Sequence, residues 1–163
     1  MTEISRIADE LRRAYDGDPW HGPPLTGLLA GISASEAAAH PLPGAHSIRE
    51  TVLHVTAWIG EVRERLRGSP PGQPAEGDWP IAGDTGESGW ALAKSKLAHA
   101  HEALLRELDA TPDERLWQIV GSPARDRAEG TGTTYYVMLH GVVQHNVYHS
   151  AQIAALRRVQ AGR

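Results

Sequence analysis

Apolar residues recur at steps of three and four in four long stretches of the chain, and glycine and proline separate the stretches. Ile4, Ile7, Ala8, Leu11 and Tyr15 form one stripe, as an amphipathic helix requires, and Gly17-Asp18-Pro19 ends it. A weaker helical pattern covers Pro24 to Ile32, with a further turn at Glu36 to His40, before HPLPGAH forces the chain out of helix. Ser47-Ile48-Arg49-Glu50 is a capping box, and Ile48, Val52, Val55, Ile59, Val62 and Leu66 then run along one face, so the spacing predicts a helix to about Arg67.

From Gly68 to Gly86 the chain holds Gly, Pro or Asp at nearly every second position, the composition of a long surface connection. Within it, Asp78-Trp79-Pro80 is expected to anchor the loop by burying the indole. A third helix is predicted from about Ser88 to Ala110, with Trp90, Leu97, Leu104 and Leu108 inward. Thr111-Pro112 then opens another turn into Leu116-Trp117, and a polar loop, GSPARDRAEGTG, follows. The fourth helix, about Thr134 to Val159, is apolar on more than one side through Tyr135, Val137, Met138, Leu139, Val142, Val143, Val147 and Ile153. Such a helix must be covered on two faces, and a second subunit is one way to cover it. No run alternates with period two. The expected fold is all-α, one four-helix bundle domain spanning residues 1–163.

Composition excludes several functions. At 163 residues the chain suits one core. The net charge of −4 offers no cationic surface for nucleic acid or an anionic membrane. The absence of cysteine rules out disulfides, thiolate metal sites and a Cys nucleophile, so any thiol in a reaction must arrive with a substrate. With no apolar leader and no long apolar span, a soluble, cytoplasmic protein acting on a small molecule is expected.

The chemistry concentrates in the last helix. His145 and His149 are four residues apart, on one face, in a stripe with Met138, Val142, Gln152 and Leu156. Buried imidazoles without partners are costly, and a divalent cation would supply one while keeping both rings neutral. The alternative is two hydrogen-bonded core histidines. Two ligands make a weak site, and His54, beside the apolar stripe of the second helix, is the best third. Three histidines around one cation leave a coordination position open, the arrangement of catalytic rather than structural zinc.

The segments HSIRETVLHVTAW and HGVVQHNVYHSAQIAALRR together resemble the DinB/YfiT-like superfamily, as do AYDGDPWHGPPL and DWP. The resemblance spans almost the whole chain. It implies a bundle of up-down-down-up topology, frequent homodimers, zinc or nickel on His54, His145 and His149, and in some members transfer of a low-molecular-weight thiol to an electrophile. Ala151 stands where that family often has Gly, which bears on packing more than on the ligands.

Four further residues are candidates around such a centre. Gln152 could orient a ligand or serve as an ordinary polar helix residue. Glu50 could act as acceptor or base, although its capping box already accounts for it. His21 would reach the open side if the first loop folded over the site, and otherwise packs beside Trp20. Tyr148 could donate to a substrate oxygen or fill the core edge. His140 is turned away from the pair, and His40, His46, His99 and His101 are expected in solvent. No catalytic residue is assigned. Metal-dependent thiol transfer leads, with a hydrolase and a non-catalytic, metal-stabilised dimer as alternatives.

Overall fold

A computed structural model describes residues 1–121 and 132–162, so the polar loop expected at 121–132 lies almost wholly outside the described residues. Among the described residues six helices form: α1 (Glu3–Tyr15), α2 (Leu25–Leu29), α3 (Ala34–Ala38), α4 (Ile48–Leu66), α5 (Glu87–Asp109) and α6 (Tyr135–Gln160), with a 3-10 turn at Asp113–Trp117. The four long helices are the four periodic segments. Among the described residues the strand-like structure is a single antiparallel bridge, Ile119 to Thr134.

Local chemistry sets the helix ends. Thr2, Ser33, Ser47 and Thr134 each accept a backbone N–H at an N-cap, and at Ser33 and Ser47 the reciprocal glutamate completes the capping box. Distant parts of the chain reinforce two of these ends. The Asp113 carboxylate accepts from the Glu3 and Ile4 amides at 2.9 and 3.1 Å, and Glu87 accepts from the Ala34 amide at 2.8 Å. These contacts tie the short pieces to the bundle.

The bundle is all-α. α4 packs against α5 and α6, and α1 packs against the same two, which places α1 diagonally opposite α4. The core stripes of all four converge on Ile7, Leu11, Ile48, Ile59, Leu97, Leu104, Leu139 and Ile153, each at most 1% exposed. Within the chain α6 packs against α4, α1 and α2, while Val137 of its apolar pattern stays 57% exposed. Among the described residues no helix is long and apolar enough to cross a membrane.

One histidine departs from expectation. His101 is not in solvent but buried in the α1–α5 interface, stacked on Tyr15 with ring centroids 4.0 Å apart. The helix pattern around it looks polar because its neighbours are, yet it continues the Trp90, Leu97, Leu104 face. Burial pushes its pKa down to about 4 from 6.5, against the pull of Asp16. Because the folded value lies below the unfolded one, the unfolded chain takes up the proton first. Stability is held above about pH 6.5 and declines as pH falls toward about 4. His101→Phe, which keeps the stack, is expected to flatten the fall of melting temperature between those pH values in metal-free protein. An unchanged acid limb would show that His101 does not titrate in this way.

Candidate metal centre

The packing of α4 on α6 sets His54 opposite His145 and His149. His54 lies beside Val55, at the edge of the α4 core stripe, and so comes inside the bundle along with it. On α6 the four-residue step stacks His145 and His149 one turn apart. Ring centroids are 5.0 Å (54 to 145), 4.6 Å (54 to 149) and 4.4 Å (145 to 149). One ring nitrogen from each residue lies within 4.8 Å of the others, a grouping that could hold a metal ion. His54 and His149 are each 5% exposed, and His145 is half-buried.

Hydrogen bonds on the outer side of the rings fix their orientation. The Nδ1 of His54 lies 2.6 Å from the Asp78 carbonyl, and the Nδ1 of His149 lies 2.7 Å from Gln152 Oε1. Both partners are oxygens that only accept, so each Nδ1 carries the proton and each Nε2 keeps its lone pair. Those lone pairs face inward. The Nε2 atoms of His54 and His145 are 3.0 Å apart, a distance that requires either a proton between them or a cation shared by them. The Nδ1 of His145 is buried without a hydrogen-bond partner among the described residues. Burial, reinforced by the neighbouring imidazoles, pushes the His145 pKa down to about 4, and burial lowers that of His149. Neutral imidazoles are the form that ligates metal.

The long connection between α4 and α5 supplies the rest of the frame. Asp78 offers its carbonyl to His54 and its carboxylate to Trp58 Nε1 at 2.7 Å. Trp79 is half-buried rather than buried, and lies between two imidazoles. One face stacks on His54 at 4.0 Å and the other on His46 at 3.5 Å. His46 is exposed, as expected, and forms the outer layer of a three-ring stack.

The other candidates divide. Gln152 is the acceptor for His149, and Tyr148, 61% exposed, stands edge-on to His149 at 5.0 Å on the rim. Glu50 is occupied elsewhere, capping Ser47 and accepting from His40 Nε2 at 2.9 Å. His21 does not reach the site. It lines a cavity behind α6 with Val147, Ala151 and Arg158, because the first loop folds over the opposite face of that helix. Ala151 is exposed and lines the same cavity. His140 pairs with Glu3 at 3.3 Å and leans on Tyr136. The sequence reading missed Asp78 and Trp58 as parts of the site. A backbone carbonyl leaves no residue signature, so only the proximity of DWP could have pointed to it.

Comparison with known proteins bears on the family and the fold. Residues 24–153 match the family model described as the DinB superfamily. A solved structure from Enterococcus faecalis, described as a conserved protein, superposes with a TM-score of 0.68 over 100% of this chain and 99% of that one, at 18% identity. That likeness concerns the fold. No curated protein matches the chain.

The outer hydrogen bonds generate a prediction. Gln152→Leu is expected to weaken Co2+ or Zn2+ binding by roughly 10- to 100-fold, the usual cost of removing a partner that orients a ligating histidine. Glu50→Gln is expected to leave affinity unchanged. Titration of metal-free protein with a competing chelator measures both.

Proposed function

Because the chain belongs to the DinB superfamily, and because three histidines of its bundle face a common point, we propose that it binds a divalent cation, zinc or nickel, on His54, His145 and His149. We further propose that it uses the ion to transfer a low-molecular-weight thiol onto a small electrophile. The observation that carries the first step is the direction of the lone pairs. Two rings are held from outside by acceptors, so their imine nitrogens can point only into the cluster.

A divalent ion in such a site lowers the pKa of a thiol and so supplies a nucleophile at neutral pH. The chain contributes the remainder. Its lack of cysteine means that the sulfur must come from a cosubstrate. His54 and His149 hold their orientation through Asp78 and Gln152, so little rearrangement is needed when a cation arrives. Three protein donors leave room for an exogenous ligand, where four would close the site. Tyr148, 61% exposed beside His149, would donate from its hydroxyl to an oxygen of the electrophile.

Hydrolysis is the less favoured reading, since it needs a base beside the cation. The Asp78 carboxylate lies 3.4 Å from His54 Nδ1, on the outer side of that ring, and Glu50 is held by Ser47 and His40. Neither is placed where an attacking water would stand.

The test follows free thiol and melting temperature together. With zinc or nickel, a thiol such as glutathione and an electrophile such as monochlorobimane, wild-type protein is expected to consume thiol well above the protein-free rate. His149→Ala is expected to fall to that background. Chelation is expected to lower the melting temperature as well, since an ion bound only by the folded state stabilises it. A melting shift without thiol consumption would leave the ion a structural role and refute the transferase.

A further inference from the structure

A cavity of about 280 Å3 lies beside the histidine cluster, between the segment that precedes α4 and the C-terminal half of α6. None of the three histidines lines it, but two residues that hold them do. Trp79, stacked on His54, forms one wall, and Gln152, bonded to His149, forms another. Most of the remaining wall is apolar: Leu42, Ala45, Ala155 and Leu156. At this size the cavity falls at the lower edge of the range for ligand pockets, about 300–1,000 Å3, and suits a metabolite-sized guest rather than a peptide.

Its polar groups are few and mostly committed. The Thr51 hydroxyl donates to the Ser47 carbonyl at 2.8 Å. His46 stacks on Trp79, with its Nδ1 3.5 Å from Glu50. Gln152 is different. Its Oε1 is taken by His149, while its amide nitrogen makes no hydrogen bond among the described residues. An amide held at its oxygen presents its N–H donors in a fixed direction, and a half-buried donor gains from an acceptor. The guest therefore needs an apolar body and one acceptor oxygen. The Glu50 carboxylate behind His46 favours a neutral carbonyl over an anion.

We propose that this cavity binds a small apolar molecule carrying a neutral carbonyl group, which accepts from the Gln152 amide, and that its occupancy alters the histidine cluster through Gln152 and Trp79. Only the second clause rests on the metal reading. The coupling has a direct physical route. A carbonyl accepting from the Gln152 amide polarises that group and makes its oxygen a better acceptor for His149 Nδ1–H, which in turn makes His149 Nε2 the stronger donor. A body packed against the Trp79 edge restrains the ring that stacks on His54.

Phenylacetamide is a suitable probe, with about ten non-hydrogen atoms and hence affinity in the millimolar range at ordinary ligand efficiency. Binding to metal-free protein is followed by amide NMR shifts. Saturable shifts centred on residues 42–46, Trp79 and 152–156 are expected. Ala155→Trp, at an exposed helix position, fills the cavity and is expected to weaken binding at least 10-fold, and Ala45→Leu serves the same purpose if that variant is unstable. Gln152→Glu keeps an oxygen for His149 but removes the N–H donors, and is expected to weaken probe binding several-fold. No saturable shifts, or equal affinity in the filled variants, would overturn the pocket. Equal affinity in Gln152→Glu would overturn the role of the amide.

Coupling is read separately on Co2+-loaded protein. The visible absorption is expected to change when phenylacetamide saturates wild type and to stay unchanged in Ala155→Trp. A bound probe with an unmoved spectrum would overturn the coupling. Failure of Co2+ to bind at all would refute the metal reading before any probe is added, and the two failures are therefore distinct.

Discussion

The arrangement depends on the packing of α4 against α6. Everything of chemical interest lies on that seam: His54 from one helix, His145 and His149 from the other. Burial resists charging His145 and His149, and the close Nε2 atoms of His54 and His145 need a proton or a cation between them. The cluster persists because the large core on either side stabilises the helices that carry it. A site of this kind can hold a cation.

The outer hydrogen bonds turn proximity into direction. Without the Asp78 carbonyl and Gln152, each ring could present either nitrogen to its neighbours, and the cluster would be one of several tautomeric arrangements. With them, His54 and His149 each have one protonation pattern that satisfies the bonds. The connection between α4 and α5 therefore belongs to the site. Asp78 bonds His54 and Trp58 at once, and Trp79 lies between His46 and His54. A segment rich in glycine and proline, with no regular structure, is held against α4 by these contacts.

The cavity behind Gln152 extends the same theme. Residues that orient ligands face two ways, toward the ring they hold and toward whatever lies behind them. Where a second cavity adjoins that outer side, binding in it and coordination at the cluster share atoms, and energetic coupling needs no long path. Ligand-orienting residues are seldom only supports.

Much of this was readable from residue order. The four long helices follow from apolar steps of three and four, and the start of α4 from the Ser47–Glu50 box, because those signals act within a turn or two. The His145/His149 pair was legible for the same reason, since a four-residue step fixes side-chain neighbours before any packing occurs. What residue order could not decide were relations between segments distant along the chain. It could not say that the first loop carries His21 to the back of α6, or that His101 continues the buried face of α5 against Tyr15. It could not say that α1 and α2 pack on α6 beside α4, or that a carbonyl at Asp78 holds the His54 ring. Local periodicity is written in the spacing of side chains, whereas these outcomes depend on which helices lie side by side and where the loops between them travel. Only the folded core decides that.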